Sequence, residues 1–267
     1  MQIFQIDAFT DRVFGGNPAA VVPLEKWLPD ATMQAIAAEN NLAETAFFVP
    51  QGKGQYHLRW FTPELEIDLC GHATLATAHV LFEHLAEMSS EIRFETRSGI
   101  LTVTRDEDWL SMDFPARPPV PKPEDKELLR AALGLQEEPL FVGKSRDYLV
   151  ELPSEAAVRA LKPRMDLVAQ LDCIGVIATA PGDSVDFVSR FFAPQAGVPE
   201  DPVTGSAHST LIPYWGGKLG QFSLDAWQVS SRHGVLRCTH QGDRVTMAGQ
   251  AVTYLVGEIG TGDGVEG

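Results

Sequence analysis

Cysteine is scarce in this chain: Cys70, Cys173 and Cys238 are the only three in 267 residues, and none form a C-x-x-C pair. An odd number without paired spacing excludes a disulfide framework and argues against a zinc site. Positive charge is also short. Twenty-one Lys plus Arg stand against 36 Asp plus Glu, a formal net charge of -15 at pH 7, and no basic run is interleaved with aromatics. Nucleic acid and anionic membrane are therefore not expected partners. No apolar run approaches the roughly 18 residues of a bilayer span. The opening MQIFQIDAFTDRVFGG lacks a basic segment followed by an apolar core, so a cytoplasmic location is expected. No G-x-G-x-x-G stands between a strand-like run and a helical pattern and there is no G-x-S-x-G elbow, which removes the dinucleotide fingerprint and leaves Ser206, His208 and Asp201 without hydrolase geometry. His72, His79 and His84 have no carboxylate at metal-ligand spacing, so no metal is expected.

What is present reads as a globular chain of two domains, with 44% hydrophobic and 21% charged residues. The segment FPARPPVPKPEDKE, residues 114 to 127, carries five prolines before a charge cluster. Proline removes backbone donors and favours semi-rigid extended chain, so residues 115–124 read as a linker. On either side lies a related pattern, RWFTPELEIDLCGHATLATAHVL before it and RFFAPQAGVPEDPVTGSAHSTLIPYW after it. Arg59 to Pro63 match Arg190 to Pro194, and Gly71 matches Gly205 across a loop three residues longer. The chain is read as two related halves.

Alternation and β-branched or aromatic content predict strands at IFQIDAF, AAVVPL, AETAFFVP, YHLRWFT, EIRFETRSG, ILTVTRD and WLSMDF. In the second half CIGVIATA, DFVSRFFAP, AWQVSS and RVTMAGQAVTYLVGEI read the same way. Helices are expected at ATMQAIAAEN, from His72 to Leu85, at DKELLRAALGL and from Ser206 to about Trp215. Each half then has one strongly apolar helix among strands, most simply buried by a sheet wrapped around it. Two α+β lobes follow. If they are related by approximate two-fold symmetry, the helix starts at Gly71-His72 and Gly205-Ser206 offer backbone N–H groups as an anion cradle for a carboxylate, and glycine allows the close approach. The plain alternative is that both glycines only permit tight turns.

The ordered motifs FGGNPAAVV, ENNLAETAFF, DLCGHATLA and EDPVTGSAHS resemble the PhzF family of phenazine-biosynthesis-like isomerases, relatives of diaminopimelate epimerase and proline racemase. The resemblance covers nearly the whole chain, from Phe4 to GEIG. It implies a diaminopimelate epimerase-like α+β fold of two similar lobes, each a mostly antiparallel sheet or open barrel around a central apolar helix. The lobes are expected at 1–114 plus 253–267 and at 125–252, with the terminal strand returning to the first and the tail TGDGVEG frayed. A homodimer and the absence of a cofactor are also implied.

The resemblance further implies that the epimerase relatives move an α-proton with two thiols, one from each half. Only Cys70 is present here, so that mechanism is not expected. By resemblance Glu44 matches the family's general acid/base, while His72, Asp201 and Ser206 match residues that hold and polarise the substrate, beside Gly71 and Gly205. Read physically, Glu44 lies between Leu42-Ala43 and Thr45-Ala46-Phe47-Phe48, surroundings that favour a neutral carboxyl able to take and give a proton. Asp201 could also be a plain turn former, Ser206 a helix cap offering its backbone N–H rather than its hydroxyl, and His72 a satisfied loop histidine. The expected function is a cofactor-independent isomerase that shuttles a proton on a small carboxylic acid bound between the lobes. The alternatives are a non-catalytic small-molecule binding protein and a one-thiol epimerase using Cys70. His233 stands where the family pattern implies a second glycine, a departure that weighs against a strict phenazine role.

Overall fold

The computed structural model describes residues 1–260, so the tail TGDGVEG lies outside the described residues. The chain divides into two compact units, Met1–Met112 with the chain from Gly249 on, and Asp113–Ala248. In the first, β1 (Gln2–Ala8) runs antiparallel to β2 (Asn17–Pro23). Helix α1 (Asp30–Asn40) crosses over so that β3 (Glu44–Gly52) lies parallel to β2. β3 is antiparallel to β4 (Gln55–Phe61), which carries the short β5 (Glu66–Ile67) at its end. Helix α2 (Gly71–Glu83) then leads to β6 (Glu91–Thr96), parallel to β4, followed by the antiparallel β7 (Gly99–Asp106) and β8 (Trp109–Pro115).

After the two-residue β9 (Val120–Pro121) and helix α3 (Lys126–Leu133), the second unit repeats this plan. β10 (Phe141–Lys144) is antiparallel to β11 (Tyr148–Glu151). The short helices α4 (Glu155–Arg159) and α5 (Met165–Val168) bring β12 (Val176–Pro181) in parallel to β11. β13 (Phe187–Ala193) is antiparallel to β12 and carries the short β14 (Val198–Asp201). Helix α6 (Gly205–Leu219) precedes β15 (Ser223–Gln228), parallel to β13, and the antiparallel β16 (Gly234–Gln241) and β17 (Arg244–Gly249). The last strand, β18 (Ala251–Glu258), pairs with β1, while β9 pairs with β10. The second half of the sequence thus supplies the strand that flanks β1 in the first unit.

The repeated sequence motif has the same structural task in both units. Arg59 on β4 forks onto Glu66 of β5 with both N···O distances at 2.7 Å, and Arg190 on β13 forks onto Glu200 of β14 with both at 2.8 Å. Each guanidinium also lies over the aromatic ring two residues on, Phe61 and Phe192. These bidentate pairs tie down the chain that enters each central helix. α2 is buried continuously from His72 to Ala78, as a helix apolar on all sides must be. Its Thr77 hydroxyl is satisfied by the Ala73 carbonyl. α6 is buried from Ala207 to Ile212 and runs to Leu219, past the end expected at Trp215, although it contains Pro213. Proline leaves the carbonyl four residues back without its helical donor. That carbonyl, Ser209, accepts instead from the Arg117 N–H at 2.8 Å.

Arg117 lies in the stretch 115–124 that the sequence presents as a linker, and the structure corrects that reading. The Ala116 N–H donates to the Asp243 carbonyl, the Lys122 N–H to that of Val142, and Val120–Pro121 form β9. Proline density marks where helix cannot form, not where packing stops. The return to the first unit also comes earlier than 253: RVTMAGQAVTYLVGEI is two strands, β17 and β18, and the chain changes unit at Gly249. No helix among the described residues is long and apolar enough to cross a membrane.

Candidate active site

In the first unit three element starts meet: Asn17 opens β2, Glu44 opens β3, and Cys70 is the cap residue before α2. Asn41 ends α1 in a left-handed conformation, φ 49°, which turns the chain so that Glu44 begins its strand beside Ala19. His72 is the hub. Its Nε2 lies 3.1 Å from Glu44 Oε2, and its Nδ1 lies 3.2 Å from Asn17 Nδ2 and 3.5 Å from Cys70 Sγ. When neutral, the imidazole accepts from the Asn17 amide nitrogen at Nδ1 and carries its proton on Nε2, facing the Glu44 carboxylate; when protonated it donates from both nitrogens, and the Asn17 amide turns its oxygen to Nδ1.

Burial pulls His72 toward neutrality, the acidic groups of Cys70 and Glu44 act the other way, and the net direction is well above its ordinary value. Burial, then the charge of Glu44, pushes the Cys70 thiol up to about 11. The thiol is therefore neutral near pH 7, and Glu44 is the acidic partner that counts for His72 there. Ligand atoms of Glu44, Cys70 and His72 lie within 4.8 Å of one another. However, Glu44 lies against one imidazole nitrogen and Cys70 against the other, so the two do not converge with His72 on one cation through a single ring nitrogen. Glu44 is thus not held among apolar groups alone, as its sequence neighbours suggest. The strand start turns its carboxylate onto a histidine.

In the second unit Thr204 is the cap residue before α6, the place that Cys70 holds before α2. The Thr204 hydroxyl donates to Asp201 Oδ2 at 2.6 Å. Buried Gln228, the last residue of β15, binds this turn three ways: its Oε1 accepts the Thr204 N–H at 2.8 Å, and its Nε2 donates to the Asp201 carbonyl at 2.7 Å and to Thr204 Oγ1 at 3.2 Å. Gly205 and Ser206 open the helix, and the Ser206 hydroxyl oxygen accepts from Arg146 at 2.8 Å. His208, fully buried, donates from Nδ1 to the Thr204 carbonyl at 2.8 Å, and burial lowers its pKa to about 4.

The residues singled out from sequence fall into one group in each unit: Glu44, Gly71 and His72 with Cys70, and Asp201, Gly205 and Ser206. Sequence reasoning missed Asn17, Thr204, Gln228 and Arg146. Asn17 sits inside the quoted motif FGGNPAAVV and could have been found there; a polar residue ending an otherwise alternating AWQ strand was the one sign of Gln228.

The profile of the family described as "Phenazine biosynthesis-like protein", PhzC-PhzF, matches residues 6–257. An uncharacterized isomerase of Pseudomonas aeruginosa is 51% identical over 259 residues, covering 97% of this chain and 98% of the relative. The crystal structure of a phenazine biosynthesis protein of the PhzF family from Enterococcus faecalis superposes with a TM-score of 0.94 at 49% identity, covering 97% of this chain and 98% of that one. A probable proline racemase from Agrobacterium radiobacter K84 shares the fold alone, with a TM-score of 0.61 at 10% identity over 97% of this chain and 92% of that one. The class defined is that of the isomerases. The chain belongs to the phenazine biosynthesis-like (PhzC-PhzF) family.

Proposed function

We propose that the chain is a proton-shuttling isomerase in which Glu44 is the general acid/base and a small carboxylic acid is the substrate. The observation that carries this reading is the 3.1 Å approach of Glu44 Oε2 to His72 Nε2, with the far side of the imidazole fixed by Asn17. A carboxylate oriented by a fixed histidine can take a proton from carbon and return it elsewhere on the same substrate face. Inversion at one carbon instead calls for proton-transfer groups on both faces. Here the only candidate thiol is held neutral near pH 7 and its counterpart is Thr204, whose hydroxyl is committed to Asp201. A shift by one carboxyl therefore fits these residues better than a two-base epimerisation. Gly205, Ser206 and Asp201 are assigned to holding the acid and its polar substituents, with His72 polarising it.

The test is deuterium uptake followed by NMR in deuterium oxide, with a panel of cyclic and amino-bearing carboxylates, dihydro-hydroxyanthranilate among them. Uptake or isomerisation by the wild type that falls about 100- to 10,000-fold in Glu44→Gln, and persists in Cys70→Ala, is the expected result. Uptake that survives in Glu44→Gln and vanishes in Cys70→Ala would overturn the reading in favour of a one-thiol epimerase.

A further inference from the structure

Arg146 belongs to none of the sequence motifs, yet it is the link between a buried carboxylate and the start of α6. Its Nε and Nη2 donate to Asp147 Oδ2 at 3.1 and 2.8 Å, and Nη2 donates to Ser206 Oγ at 2.8 Å. Asp147 is 1% exposed, and its other oxygen accepts the Gly175 N–H at 3.1 Å. A Cβ on Gly175 would come within 2.3 Å of the Phe191 ring, so no side chain fits at that position. Arg146 is thereby fixed from one side by a carboxylate that cannot move and engages Ser206 on the other.

Hydrogen-bond direction gives this line its meaning. A guanidinium has donors and no acceptor, so the Ser206 oxygen must accept, and its hydroxyl hydrogen is left to donate elsewhere. A serine free to rotate can present either a hydrogen or a lone pair. With one lone pair taken by Arg146, the Ser206 hydroxyl is biased toward donating beside a positive charge, the combination that favours an anionic acceptor over a neutral one.

The duplication shows that this device is confined to one unit. Phe47 pairs with Arg59 and Ala178 with Arg190, which makes Thr45 and Val176 equivalent. Their parallel partners are Ala20 and Tyr148, and two residues before these stand Pro18 and Arg146. By the same registers Glu44 corresponds to Gly175. The first unit has the acid and no cation at the matching place, whereas the second has the cation and no acid.

We propose that Arg146 is a positioning residue that biases the Ser206 hydroxyl toward donating and so makes the unit select a carboxylate over its neutral isostere. The choice of a carboxylate rests on the isomerase reading above; the geometry of Arg146 does not. The test uses benzoate and benzamide as probes, titrated by NMR into ¹⁵N-labelled protein, with Arg146→Met, Arg146→Lys, Ser206→Ala and the Arg146→Met/Ser206→Ala double variant. A charge-assisted hydrogen bond corresponds to roughly a tenfold or greater change in affinity. Wild type is expected to prefer benzoate, Arg146→Met to lose about tenfold for benzoate and little for benzamide, and Arg146→Lys to recover part of the loss. In the Ser206→Ala background the Arg146→Met loss should shrink to less than about twofold, since the partner is gone. An equal loss in both backgrounds, or a parallel loss for both probes, would overturn the positioning role while leaving the Glu44 deuterium test untouched. A wild type with no preference for benzoate would overturn the assignment and the carboxylate reading together. Should Arg146→Met fail to fold, Arg146→Lys with and without Ser206→Ala carries the same comparison.

Discussion

Thr204 stands in the second unit where Cys70 stands in the first: each is an extended residue, φ -117° and -143°, immediately before the glycine that opens a central helix. The hydroxyl is tied to Asp201 and the thiol is buried against His72. Neither of these matched positions holds a group ionised at neutral pH.

Cys70 should therefore behave as an inert thiol. Iodoacetamide alkylation of the native protein is expected to be slow at pH 7 to 8 and to accelerate only as pH rises toward about 11, because burial first and Glu44 second disfavour the thiolate. Mass spectrometry of Cys70 peptides gives the rate. Fast modification at pH 7 would contradict the burial argument.

The arginine forks should be structural in both units. Arg59→Met leaves the mostly buried Glu66 with Arg97 as its one remaining cation, and Arg190→Met leaves the half-buried Glu200 without its bidentate partner. Each variant should lose about 2–3 kcal/mol in urea unfolding. A loss below about 0.5 kcal/mol would mean that solvent replaces the fork.

Three histidines should titrate in two directions. Burial lowers His79 and His208 to about 4, while the unfolded chain takes these protons near about 6.5. The unfolded state binds more protons between those values, so this stability is complete above about pH 6.5 and falls as pH drops toward about 4, by up to about 3 kcal/mol for His208. His72 is raised, and its contribution is complete below about pH 6.5 and lost as pH climbs through its folded value. Histidine ring NMR at pH 6 should find His72 protonated and the other two neutral. All three titrating together would refute this.

Gln228→Met should damage the second loop more than its position on a strand suggests. It strands the Thr204 N–H and removes two donors, a cost of about 2–4 kcal/mol. Thermal and urea unfolding measure it. A loss below about 0.5 kcal/mol would mean that water takes over the contacts of the Gln228 amide.

The repeated Arg-aromatic-Phe-x-Pro segments revealed the duplication because the motif performs one local task twice, and the central helices were readable because they are apolar on every side. β10 and β11 were not, since four residues are too few to display a period. Arg146 and Asp147 look like any solvated charge pair in sequence; their role depends on Ser206, 60 positions away. At Gly249 hydropathy does not change, so β17 and β18 read as one run. His233 is instructive: the family pattern implied glycine there, and the residue adopts φ 60°, a backbone region glycine enters at less cost. The histidine keeps the conformation and sets its ring against Trp227.

The return of β18 to the first unit bears on how the protein can be made. β1 leaves the ribosome early, but the strand that covers its edge follows much later; the Met1 amino group reaches the Ile259 carbonyl across 258 positions. During synthesis the first unit must wait with an open strand edge, a template for pairing with other nascent chains. A circular permutant that starts at β18 would shorten that wait, and lower aggregation during expression is what such a rearrangement should give.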